Sequence, residues 1–224
     1  MTYGLSVRND NNYIQIDSEA PRLCCVCEGT YAGTAAVTVG FPNVITSQEP
    51  PCVFIRPDPV QGTVLYGSMN IAGGPGAWTG FSIQLANITS VTGGTWFAAV
   101  FAATTQSDYG MRIWDAAGNP IYDTGSPAIA VSTAANDWPF VGMTQLEIAI
   151  AYTYVCQLPR PIGPHDHFMI NPFSRWLLCA HPGNSLRMGV TVDYANNQLL
   201  MFAMGFTAWT DIGRHAAVFA RIRR

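Results

Sequence analysis

Tyr3-Gly4-Leu5-Ser6-Val7-Arg8-Asn9-Asp10-Asn11-Asn12-Tyr13-Ile14-Gln15-Ile16-Asp17-Ser18 opens the chain. A related stretch returns as Tyr109-Gly110-Met111-Arg112-Ile113-Trp114-Asp115-Ala116-Ala117-Gly118-Asn119-Pro120-Ile121-Tyr122-Asp123-Thr124. The two align without a gap as Tyr-Gly, an aliphatic pair two residues apart, Asn or Asp, a turn, an apolar strand, then Asp-Ser or Asp-Thr. The register continues beyond them, with Pro21 on Pro127, Leu23 on Ile129 and Cys25 on Val131. Self-similarity of this kind marks duplicated structural units. The chain therefore divides into two related units, residues 1–105 and 106–224.

Each copy has the pattern of a β-hairpin. Leu5 and Val7, or Met111 and Ile113, alternate with other residues and share one face of a strand. Asp10-Asn11-Asn12 and Ala116-Ala117-Gly118-Asn119 supply the residues that tight turns demand. Asp17 and Asp123 end the return strands, where a carboxylate can accept from nearby backbone amides. Further strands are expected at Arg22–Cys27, Ala35–Phe41, Cys52–Arg56, Thr63–Asn70, Phe81–Leu85 and Trp96–Ala102. Ala72–Ala77 reads as a loop and Thr92-Gly93-Gly94 as a turn. In the second unit strands are expected at Leu146–Tyr154, Trp176–Cys179, Met188–Tyr194, Leu199–Phe206 and Ala216–Ile222, with a turn at Asn196-Asn197. The pair Phe81–Leu85 and Trp96–Ala102 parallels Met188–Tyr194 and Leu199–Phe206. No useful helical period occurs. The expected fold is all-β: two tandem β-sandwich-like modules, each opening with a related β-hairpin.

Composition bounds the partners. Apolar residues make up 49% of the chain and charged residues 11%, against about 25% charged in ordinary soluble proteins. Such a surface is expected to be buried against other subunits. Every basic side chain is Arg and none is Lys; Arg is planar and weakly hydrated, which suits it to interfaces, although a GC-rich genome is the better reading of this bias. A net charge of −3 and an isoelectric point near 5.7 argue against nucleic-acid binding. Arg221-Ile222-Arg223-Arg224 reads as a frayed or subunit-contacting end. No apolar run reaches membrane-spanning length uninterrupted, and no signal peptide precedes Tyr3. Assembly in a cytoplasm without membrane insertion is the expectation, with the six cysteines reduced.

Candidate sites are few. Cys24, Cys25 and Cys27 form the densest sulfur cluster, with Cys52, Cys156 or Cys179 as a possible fourth metal ligand. On a regular strand Cys25 and Cys27 share a face while Cys24 points away, so a local clamp needs a bulge; buried cysteines acting as small hydrophobes are the better reading. His165-Asp166-His167 puts two imidazoles on one side of an extended segment. With His181 or Cys179 it could hold a divalent ion and serve a metal-dependent hydrolase, although a solvated or interface loop is the better reading. No Gly-x-Ser-x-Gly elbow marks a nucleophile, and no carboxylate pair suits glycoside hydrolysis. Catalytic residues and cofactors are expected to be none. Trp96, Trp114 and Trp176, inside strands, are assigned to packing. Trp78 and Trp138, flanked by turn residues, are candidates for exposed aromatics that contact a receptor glycan.

The Tyr-Gly-Leu-x-Val-x-Asn hairpin, the second Tyr-Gly hairpin and the run Pro50-Pro51-Cys52-Val53-Phe54-Ile55-Arg56-Pro57 resemble small proteins of tailed-phage tail-tip and tail-fibre gene clusters. The resemblance covers roughly the first three fifths of the chain and carries over no catalytic or metal-binding residue. It implies a non-enzymatic virion protein of the tail tip, baseplate or fibre base, assembled in the host cytoplasm. The implied partners are other tail proteins and further copies of itself, as a trimer before other states. A receptor-binding module recognising a host cell-surface glycan or pilus is the alternative.

Overall fold

The computed structural model describes residues 6–8, 10, 14–17, 21–59, 64–86, 91–104, 107–115, 117–146, 150–173, 187–204 and 214–223. Among these the first unit contributes β1 (Ser6–Arg8), β2 (Ile14–Asp17), β3 (Leu23–Gly33), β4 (Ala36–Ile45), β5 (Cys52–Pro57), β6 (Leu65–Gly74), β7 (Ala77–Ala86) and β8 (Thr92–Phe101). The second contributes β9 (Arg112–Trp114), β10 (Pro120–Asp123), β11 (Ile129–Ala135), β12 (Phe140–Gln145), β13 (Ile150–Gln157), β14 (His167–Met169), β15 (Arg187–Asp193), β16 (Gln198–Met204) and β17 (Ala217–Ile222). One 3₁₀ turn, Asn171–Phe173, is the only helical segment among the described residues. The all-β, sandwich-like expectation is met.

The duplication is visible in the hydrogen-bond register. In the first hairpin Ser6, Val7 and Arg8 oppose Asp17, Ile16 and Ile14. In the second, Arg112, Ile113 and Trp114 oppose Asp123, Tyr122 and Pro120. Each residue of the second set stands at the aligned position of the first, and the register slips at the same step. The correspondence extends to β3–β8 and β11–β17. Leu23 opposes Phe101 and Ile129 opposes Ile222, and both ladders carry a bulge, between Cys25 and Cys27 in one and Val131 and Thr133 in the other. A bulge costs ladder hydrogen bonds and bends its strand, so its repetition at the aligned position is a specified feature of the unit.

Strand order reveals how the units combine. One sheet runs β11-β17-β14-β5-β8-β3 and the other β12-β13-β16-β15-β6-β7-β4. Exchanging β3 with β11, β8 with β17 and β5 with β14 turns the first sheet into itself. The exchange of β4 with β13, β7 with β16 and β6 with β15 does the same for the second, apart from the extra edge strand β12. The units are thus related by a pseudo-twofold axis running between β5 and β14 and between β6 and β15. Residues 1–105 and 106–224 each supply half of both sheets and share one sandwich. The junction is stitched by side chains: Arg56 Nη1 donates to the carbonyls of Gly163 and Asp166 at 3.0 and 2.8 Å. The Val53 amide donates to Asn171 Oδ1 at 2.7 Å, and Tyr194 donates its hydroxyl proton to the Pro57 carbonyl at 2.8 Å.

The six-stranded sheet curls until its edges touch. Cys24 bridges to Ala128, and the Cys25 amide donates to the Pro127 carbonyl at 2.8 Å. Its concave face encloses a small core of Cys25, Phe54, Phe97, Ala99 and Ala220, where Phe54 and Phe97 stack at 4.7 Å. Its other face packs on the seven-stranded sheet through the main core, which includes Val53, Ile55, Phe81, Trp96, Phe168 and Phe219. Burying each such side chain contributes about 1.5–3 kcal/mol.

Several sequence expectations are corrected. The continuous alternation Leu146–Tyr154 is not one strand, since Gln145 pairs with Ile150. Residues 147–149 lie outside the described residues, and with no Gly or Pro among them the sequence does not mark where β12 ends and β13 begins. Thr92-Gly93-Gly94 is not a turn but the start of β8. Gly94 is required there because the Arg56 carbonyl and the Tyr31 ring occupy the space a Cβ would need. Ala72–Ala77 is a tight hairpin, with β6 and β7 flanking Pro75-Gly76. The β15–β16 hairpin corresponds to β6–β7, not to Phe81–Leu85 with Trp96–Ala102, and β17 is the counterpart of β8. The strand expected at Trp176–Cys179 lies outside the described residues.

Candidate functional site

The bulge in β3 decides the cysteine question. With Val26 inserted, Cys25 faces the small core while Cys27 packs against the main core. The same bulge that a three-thiolate clamp requires therefore separates the two sulfurs. Cys25 Sγ instead donates to the Cys27 carbonyl at 3.6 Å. Cys52 lies against the small core and Cys156 within the main one. Burial pushes the thiols of Cys27 and Cys156 up to about 11, and raises those of Cys24 and Cys52. Burial thus disfavours the thiolate, the form that attacks as a nucleophile.

His165-Asp166-His167 does not converge either. His165 is exposed, Asp166 is buried, and its Oδ2 accepts from the Gly163 amide at 2.7 Å. The His167 ring lies 2.9 Å from the Thr95 hydroxyl through Nε2 and 2.9 Å from the His165 carbonyl through Nδ1. Burial pushes its pKa below the ordinary imidazole value. Both nitrogens already have protein partners, and no group of three or more His, Cys, Asp or Glu among the described residues could hold a metal ion. Cys179 and His181 lie outside the described residues.

The two tryptophans expected at the surface are buried. Trp78 is 9% exposed and donates its indole N–H to the Ser47 carbonyl at 2.9 Å. Trp138 is 7% exposed and donates to the His215 carbonyl at 2.7 Å. Flanking Gly, Asn and Pro shaped the turns around them but left the rings free to fill the core. Neither presents its ring at the surface as expected.

Among the exposed large apolar side chains, which also include Val44, Val91, Phe101 and Val131, two groups cluster. The first is β12, an edge of the seven-stranded sheet with Phe140, Val141 and Met143 exposed, beside the exposed Ile150 of β13. No residue of β12 is charged. Among the described residues no strand pairs with its outer edge. The opposite edge, β4, contains Pro42 and a register break, both of which blunt an edge against further pairing.

No protein-family model, characterised protein or solved structure matches this chain.

The second place is the β9–β10 hairpin. Tyr109 and Trp114 are exposed, although Trp114 was expected to pack. The repeat held the missing signal: Trp114 aligns with Arg8, and a position that accepts Arg in one copy is no core position. Beneath the rings Asp123 is buried and receives Arg112 Nε at 2.7 Å, the Ser107 hydroxyl at 2.7 Å and the Gly125 amide at 2.8 Å. The hydrogen bond from Ser107, followed by that from Arg112, holds its carboxyl well below the usual carboxylate range. Asp115 fixes the turn by accepting from the Ala117 and Asn119 amides.

A depressed folded-state pKa means that the unfolded chain binds the proton more readily. The stabilisation is therefore complete above the unfolded value of about 3.9 and is lost as pH falls through the folded value. Thermal melts between about pH 5 and pH 2 should show Asp123→Asn with a shallower acid limb than the natural chain. Parallel limbs would mean that Asp123 is not held in this way.

Proposed function

We propose that this protein is a non-enzymatic structural component of a tailed-phage tail tip, baseplate or fibre base, acting by subunit assembly. The observation that carries the reading is β12. It is an uncharged edge strand with exposed Phe140, Val141 and Met143, lying outside the pseudo-twofold that accounts for the other strands of its sheet. An exposed apolar edge is a template for pairing with another chain, and closed symmetry among identical copies is the usual way to cover one. The scarcity of charge supports the same reading, as does the resemblance of the opening hairpins to tail-tip proteins. The partners are further copies, as a trimer, and neighbouring tail proteins; the location is the virion tail, after assembly in the host cytoplasm.

Sedimentation of the purified chain at micromolar concentration, together with antibody labelling of purified virions, tests this. A homo-oligomer and label at the tail end are expected. A stable monomer with no copies in virions would overturn it.

A further inference from the structure

We propose that the β9–β10 hairpin is a binding site for a neutral glycan. In the second copy the Tyr-Gly signature has a backbone reason at its glycine. Gly110 has a φ of +120°, in the left-handed region that favours glycine, and a Cβ there would collide with the Thr124 hydroxyl. Tyr109, by contrast, is 91% exposed. The Trp114 ring is 53% exposed and lies under the Arg112 guanidinium, 5.8 Å from its centroid. Tyr109 and Trp114 both line an open groove of about 470 Å³, together with Asp108, Met111 and Arg112. That volume falls in the range of small-ligand sites, roughly 300–1,000 Å³, which combine aromatic walls with a few placed polar groups.

The polar groups select the ligand. Arg112 spends Nε on Asp123 and Nη2 on the Ser107 carbonyl, at 2.7 and 3.1 Å. Among the described residues no partner takes Nη1, which serves as a donor, and the exposed Asp108 supplies a carboxylate acceptor. One donor and one acceptor beside flat apolar rings match a pyranose, which offers a C–H face for stacking and hydroxyls at its rim. Asp123 neutralises Arg112, so Asp108 leaves the groove with a net negative charge. This disfavours uronic and sialic acids, whose carboxylates would meet like charge. The groove is rigid enough to recognise a ring, because Asp123 and Asp115 tie down the hairpin below it.

Saturation-transfer NMR and tryptophan fluorescence of the full chain test the site, with oligosaccharides of glucose, galactose, mannose and N-acetylglucosamine, and with polygalacturonate as the acidic comparison. At least one neutral oligosaccharide should bind at millimolar concentration or below, more tightly than polygalacturonate. Tyr109→Ala and Trp114→Ala should each weaken it about tenfold, the loss of one stacking contact worth about 1.4 kcal/mol. Tyr109→Ala removes an exposed ring and leaves the fold intact, so its effect does not depend on folding. No binding of any neutral sugar, binding that survives Tyr109→Ala, or preference for polygalacturonate would overturn the proposal. The oligomeric state, measured separately, bears on the assembly reading and leaves this one untouched.

Discussion

Phe168→Ala should destabilise the protein by about 3–5 kcal/mol, and both units should lose stability together. Phe168 is 1% exposed and sits in the three-residue strand β14, opposite Ile55 of the first unit on one side and Phe219 on the other. Its ring lies 6.4 Å from Phe173 and 6.1 Å from Phe219. Truncation would leave a cavity at the pseudo-twofold junction, where surrounding strands are pinned from both sides and cannot collapse to fill it. Urea unfolding followed by NMR of fluorine-labelled tryptophan separates the units, with Trp96 reporting on the first and Trp138 on the second. A single shared transition moving to lower urea is the expected outcome. Two transitions, with that of Trp96 unmoved, would mean that the units fold independently despite sharing sheets.

Met143→Lys should break up the oligomer while leaving the subunit folded. Met143 is 67% exposed on the regular part of β12, beyond the bulge near Gly142. A surface substitution of this kind changes subunit stability by no more than about 0.5 kcal/mol. Across an apolar interface, however, the ammonium would be stripped of water without a partner, and a lysine on an edge strand is a common natural block to pairing. Sedimentation should report a smaller species than the natural chain, with an unchanged circular-dichroism spectrum and a melting temperature that no longer depends on protein concentration. An oligomer of unaltered mass would remove β12 from the interface. The equivalent test on the other edge, Val44→Lys, should leave the mass unchanged, because Pro42 and the register break already blunt β4.

The sequence by itself determined the fold class and the duplication. Alternating apolar residues with Gly, Pro and Asn between them leave no helical alternative, and the aligned Tyr-Gly hairpins proved to have the same partners and the same register slip. These are local properties, written in the period of the chain and its turn residues. Only the tertiary structure decided how the two units combine. Pairing of β5 with β14 and of β6 with β15 depends on which edges meet, and no local pattern encodes that meeting. The sites followed the same division. Trp78 and Trp138 look like surface residues in their turns, yet core volume elsewhere in the chain claims their rings. Cys25 and Cys27 look like neighbours on one face, yet a bulge set by pairing with β8 turns them apart. Trp114 looks like a strand core residue, yet its hairpin stands outside both large sheets, so no second layer covers it.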